Sequence, residues 1–126
     1  ADQGGGSMPD PSQEFHNKVL GRAGEKLVCK YLRRHGYKIV ARNYVTPFGE
    51  ADIIAYRKGT YCLVEVKTRE GDILALPSEA VTRAKQERYR KIARFFCAAK
   101  RQEVPIRYDV ASVLDGEIEY FEGAFI

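Results

Sequence analysis

A chain of 126 residues, 44% of them hydrophobic and 30% charged, has the size and composition of one domain around one core. It has no run near the roughly 20 apolar residues of a membrane helix and no hydrophobic leader, which predicts a cytoplasmic protein with no membrane role. The formal charge of +4 and pI of about 9.0 favour polyanionic partners without singling out nucleic acid.

The opening ADQGGGS precedes the sole methionine, Met8, and has no core-forming residue. Residues 1–12 read as a flexible lead, partly an expression scar, and residues 13–126 as a single domain. From Gln13 to Arg34, Leu20, Ala23, Leu27, Val28 and Tyr31 recur at helical spacing. Gly21 and Gly24 each cost this helix about 1 kcal/mol, which predicts close packing on a neighbour. His35-Gly36 ends it, with Gly36 placed as a C′ glycine. YKIVARNY (37–44) alternates and predicts a strand, and VTPFG reads as a loop. ADIIAYRKGTYCLVEVK (51–67) predicts a hairpin turning at Lys58-Gly59. TREGDILALP has no period and reads as a loop. Ser78 is placed to cap a helix over residues 79–100, with Val81, Lys85, Tyr89, Ile92, Phe96 and Ala99 on one stripe. PIRYDVASVL and EIEYFE flank Asp115-Gly116, a second hairpin. The order α, β, β, β, α, β, β predicts an α/β sheet with one helix before and one after the first hairpin. Cys29, Cys62 and Cys97 have no paired spacing and read as core thiols. With only His16 and His35, a histidine-rich metal site is not expected.

The open end of the first hairpin is odd. With a two-residue turn, Arg57 pairs with Thr60, and the ladder runs outward to Asp52 opposite Glu65 and Glu50 opposite Lys67. Period two puts Glu65 and Lys67 on one face, so Asp52, Glu65 and Lys67 converge in this register. Two carboxylates about 5 Å apart repel by roughly 3 kcal/mol at an effective dielectric of about 20. Two solutions exist. Lys67 bridges the acids as a structural ion pair, or a divalent cation takes their oxygens while Lys67 orients a water and stabilises charge on a phosphate.

Asp52 followed by Glu65-Val66-Lys67 resembles the D…(D/E)-x-K signature of the PD-(D/E)xK nuclease superfamily. More closely, GRAGEKLVCKYLRRHGYKIVARNY, GEADIIA, LVEVKTR, SEAVTRAKQERYRKIA and RYDV resemble the YraN-like family. Its members are uncharacterised bacterial proteins regarded as predicted endonucleases, similar to archaeal Holliday junction resolvases. The resemblance covers about residues 21–125. It implies a restriction-endonuclease-like αβββαβ core, a central mixed sheet flanked by helices. It also implies Mg2+ (or Mn2+) as cofactor, DNA, structured or branched, as substrate, and phosphodiester hydrolysis as the reaction. Resolvases of this type act as symmetric dimers, which makes a homodimer the implied assembly. Residue by residue, Asp52 and Glu65 match the metal-binding acids, Glu25 the acidic helix residue that completes many such sites, and Lys67 the catalytic lysine. Ala51 stands where the superfamily name has proline. The rival is a non-catalytic DNA-binding or assembly module that keeps the nuclease fold.

Five further residues are candidates for contact with nucleic acid. Arg69 directly follows the Glu-x-Lys strand. Lys85 interrupts an apolar stripe, either snorkelling or reaching a phosphate, with Gln86 beside it. Arg90 and Arg94, with Arg83 and Arg101, form a basic stripe that is either a solvated face or a phosphate-tracking surface. Tyr44, Tyr56 and Tyr61 are placed either in the core or against bases. Few base-specific readers are present, so recognition by backbone and shape is expected.

Overall fold

The computed structural model describes residues 11–69 and 81–126. Helix α1 (Pro11–Arg34) leads into strands β1 (Lys38–Thr46), β2 (Gly49–Arg57) and β3 (Thr60–Arg69). Helix α2 (Arg83–Lys100) precedes β4 (Ile106–Leu114) and β5 (Glu117–Phe125). The strands form one sheet in the order β1-β2-β3-β4-β5, antiparallel except for the parallel β3–β4 pair. Parallel neighbours need a crossover, and α2 provides it. This is the mixed sheet flanked by helices expected of a restriction-endonuclease-like αβββαβ core, extended by β5.

Both tight turns fall where the sequence places them. Lys58 and Gly59 have φ of 50° and 87°, Asp115 and Gly116 of 49° and 82°. Two consecutive positive φ values give the type I′ turn whose twist matches paired strands. Helix α1 closes as expected, with Tyr37 N donating to Leu32 O at 2.9 Å. Helix α2 starts later than its pattern indicates. Its N-cap is Thr82, whose Oγ1 accepts from Lys85 N at 3.1 Å, and Val81 lies outside the helix. The expected cap Ser78 and the loop from residue 70 onward lie outside the described residues.

Two cores sandwich the sheet. On one face Val28, Cys29 and Leu32 of α1 cover Ile53, Ala55, Cys62, Val64, Ala111 and Val113. On the other, Tyr89, Ile92, Ala93 and Phe96 of α2 cover Ala51, Ile54 and Leu63. All three cysteines are buried thiols, as expected. Tyr44 packs on Phe95 and Phe96, and Tyr56 on Tyr61, so these rings belong to the packing.

Helix α1 is rotated from its expected stripe: Ala23 and Leu27 face solvent. The line Gly24, Val28, Leu32 faces the sheet instead, because Gly24 marks the closest approach. A Cβ on Gly24 would lie 2.0 Å from Thr68 Oγ1 on β3. Gly21 corrects the packing expectation, since a Cβ there would meet nothing within 4 Å.

The RYDV segment, buried at Asp109 and Val110, anchors β5. Asp109, fully buried, accepts from Arg107 Nε and Nη2 at 2.9 Å, Gly123 N at 2.9 Å and Tyr120 OH at 2.5 Å. Four donors satisfy a carboxylate that would be very costly alone.

Candidate active site

Alternation fails on both β1 and β2 at the site, apart from a separate register shift on β1 between Ile39 and Ala41. Ala41 and Tyr44 both pack on the α2 side, although three residues apart, and so do Ala51 and Ile54. Between them lie Asn43, in the left-handed region at φ 51°, and Asp52. The β2–β3 ladder runs as expected from Arg57↔Thr60 to Ile53↔Val64. The next expected pair, Asp52 opposite Glu65, is replaced by a side-chain bond: Asp52 Oδ2 accepts from Val66 N at 2.8 Å. The carboxylate thus plugs the gap where β2 parts from β3. Glu50 does not oppose Lys67; it pairs with Val45 on β1.

Glu65, only 4% exposed, is held by α2 and by its own strand. Tyr89 OH donates to its Oε1 at 2.7 Å, Lys85 Nζ donates to its Oε2, and Lys67 Nζ lies 3.5 Å from Oε2. Lys85 and Tyr89 are four residues apart on α2, so one helix face presents both. Burial pushes the Glu65 carboxyl up, but the bonds from Lys85 and Tyr89 outweigh it and hold the group below the usual range. Asp52 shows the opposite balance. Burial, then the charge of Glu65, push it up to about 7 despite the Val66 N–H. Burial and the adjacent Lys85 ammonium push Lys67 down.

Asp52 and Lys67 also line a cavity of about 270 Å³ with Gly21, Glu25, Val66 and Thr68. Glu25 enters it from α1, raised by burial. With its amide oriented to donate, Asn43 bridges Glu25 Oε1 and Glu50 Oε2, each at 3.2 Å. Gly21 keeps this cavity open.

Asp52, Glu65, Lys67 and Lys85 therefore come together at one end of the sheet, with Glu25 across the cavity. The other candidates lie elsewhere. Gln86 spends Nε2 on Val81 O at 3.1 Å, bracing the start of α2. Arg90 donates from Nε to Ile126 O at 2.7 Å and pairs with Glu87 at 3.2 Å. Arg94 shares a hollow with Tyr108 and Val104. Arg69 ends β3 beside Leu114 and lines a hollow with Gly24 and Asp115. Tyr89 was readable only as core from its stripe. The signal was its spacing from Lys85, a polar residue on that same stripe.

The model of the uncharacterised protein family UPF0102 matches residues 24–113. The chain belongs to this family. A UPF0102 protein of Thermodesulfovibrio yellowstonii is 42% identical over 84% of the chain and 95% of its own length. One from Syntrophotalea carbinolica is 44% identical over 88% of the chain and 94% of its length, and one from Nocardia farcinica 45% identical over 77% of each. The UPF0102 match spans Glu25, Asp52, Glu65, Lys67, Lys85 and Tyr89.

The UPF0102 site can be tested against the divalent cation that the resemblance implies. Its donors are hard carboxylate oxygens with no thiolate or imidazole among them, a set that suits Mg2+ or Mn2+ better than zinc. Asp52, raised by the neighbouring Glu65 charge, is a group whose ionised form a cation would favour. Among the described residues no three acidic, histidine or cysteine side chains form a ready-made ligand cluster. The fit is therefore to two carboxylates supplemented by backbone oxygen and water, as Mg2+ commonly takes.

Proposed function

We propose that this UPF0102 protein is a Mg2+- or Mn2+-dependent endonuclease that hydrolyses phosphodiester bonds in DNA, structured or branched. One observation carries the reading: a buried carboxylate, Glu65, stands beside a second carboxyl raised to about 7, Asp52, with the Lys67 ammonium on the same strand. Asp52 and Glu65 are the residues that would hold the cation, with Glu25 across the cavity and the Val66 carbonyl as further oxygens. A bound divalent cation supplies Lewis acidity at the scissile phosphate and a more acidic water. Lys67 is a donor only; it orients the attacking water and stabilises charge that develops on the phosphate oxygens. Tyr89 fixes the rotamer of Glu65 through Oε1, leaving Oε2 to exchange its Lys85 partner for a ligand. Lys85, once displaced, is a second ammonium within reach of a phosphate.

A second reading has its own observation. Lys85, Lys67 and Tyr89 already satisfy Glu65, so the same cluster works as a structural ion pair in a DNA-binding or assembly module. Incubating labelled four-way, flapped and linear DNA with the protein separates the two. The nuclease reading expects cleavage of branched DNA with Mg2+ or Mn2+, none with chelator, and none from Asp52→Ala or Lys67→Ala. Intact DNA under every condition leaves the structural module.

A further inference from the structure

The turn between β1 and β2 holds an aromatic ring in solvent on a rigid mount. Thr46, itself buried, donates from Oγ1 to Gly49 O at 2.8 Å and accepts from Phe48 N at 3.1 Å. One hydroxyl thus closes Thr46-Pro47-Phe48-Gly49 from inside, and Pro47 fixes its own φ. Gly49 has φ of 134°, and any Cβ there would lie 2.5 Å from Arg88 Cδ. The Arg88 stem therefore lies against the turn and ties it to α2. On this mount Phe48 is 47% exposed.

Phe48 lines an open hollow of about 470 Å³ with Ala84, Glu87, Arg88 and Lys91. Arg88 and Lys91 are exposed, and the one acid, Glu87, is paired with Arg90 at 3.2 Å. The hollow is thus an aromatic face beside two outward cations. Gly49 opens β2 just before Asp52, and Arg88 follows Lys85 by one turn of α2, so it lies at the same end of the sheet as Asp52, Glu65 and Lys67. A single exposed apolar residue needs no explanation. A ring mounted on a locked turn beside two cations and a candidate phosphodiesterase site does.

We infer that this hollow binds the unpaired strand of a DNA substrate, with one base stacked on Phe48 and its phosphates against Arg88 and Lys91. Such binding builds on the nuclease reading of the neighbouring site and specifies its substrate as a duplex from which a single strand departs. In a paired duplex both faces of a base are covered by its neighbours, so an aromatic platform selects unpaired bases, whatever their sequence. One stacked base changes affinity by on the order of tenfold. Each phosphate contact to a single strand adds about 0.7 to the salt slope.

The test is anisotropy of two labelled DNAs, a duplex with a single-stranded flap and the same duplex fully paired, in Ca2+ buffer where only binding is read. Wild type is expected to prefer the flap by about tenfold. Phe48→Ala should remove that preference while affinity for the paired duplex and the melting temperature stay unchanged, because the ring is outside both cores. Phe48→Trp should keep the preference, and its fluorescence should be quenched by flapped DNA alone. Arg88→Gln with Lys91→Gln should lower the flap salt slope by about 1.4. An unchanged flap preference in Phe48→Ala overturns the assignment. So does a Phe48→Ala variant that turns a sedimenting dimer into a monomer with flap binding intact, which would give the hollow to a second copy. The two readings fail separately. A protein that grips the flap through Phe48 but never cuts loses its nuclease reading, and one that cuts with flap preference unaltered by Phe48→Ala loses only the Phe48 assignment.

Discussion

Glu65 and Asp52 sit side by side under opposite electrostatic regimes. Glu65 has three donors from two elements, and its ionised form is favoured despite burial. Tyr89→Phe keeps the ring in the α2 core and removes one O–H from a charged acceptor, which should cost about 1.5–3 kcal/mol in urea unfolding. Asp52 has one backbone donor and a neighbouring charge, and its carboxyl is raised from 3.8 to about 7. The sign follows directly. Below about pH 3.8 the group is protonated in both folded and unfolded chains; as pH rises to 7, the unfolded chain ionises first and stability is lost. Asp52→Asn removes that loss. The variant's melting temperature, relative to wild type in chelator, should therefore climb between about pH 4 and pH 7 and level off above. A constant difference across that range would mean that the crowding of Asp52 by burial and Glu65 is not felt in solution.

Glycines on α1 show how two identical signals in a sequence have different causes. Gly24 sits where helix and sheet touch, so Gly24→Ala should overpack against Thr68 and destabilise by about 1–3 kcal/mol. Gly21 borders open space; Gly21→Ala should stabilise the helix by about 0.5–1 kcal/mol while its methyl intrudes on the cavity shared by Glu25 and Asp52. Urea midpoints of the two variants should move in opposite directions. Helix spacing could reveal that both glycines mattered but not which one faced the sheet. The hairpin was legible because Lys58-Gly59 fixes a register, and Glu65 and Lys67 because they lie two apart on one strand. The break at Asn43 and Asp52 was not legible. A single left-handed residue in a strand leaves no mark in apolar alternation, so a strict period two placed Asp52 squarely opposite Glu65. Tyr89 was hidden for another reason: its ring satisfies the core pattern while its hydroxyl serves the site. The Phe48–Arg88 contact joins residues on separate elements, which no local pattern reports.

Across the whole molecule, two cores clamp the sheet, and the charged cluster sits where the β2–β3 ladder parts, with α1 on one side and α2 on the other. A ligand held there by Asp52 and Glu65 ties β2 to β3, so its binding free energy becomes folding free energy. At a divalent concentration about 100 times its Kd, the native state gains about 2.7 kcal/mol, a rise in melting temperature on the order of 10 °C. Variants separate the roles. Asp52→Ala should abolish the Mn2+-dependent shift. Lys67→Ala should keep it while losing cleavage, because an ammonium is no ligand. Lys85→Met should strengthen it, because in the metal-free protein the Lys85 ammonium already occupies the Glu65 oxygen that a cation needs. Thermal melts with Mn2+ and with chelator read all three. If wild type shows no shift and Lys85→Met is merely destabilised, Glu65 and its three donors are a structural ion-pair network and the endonuclease reading falls.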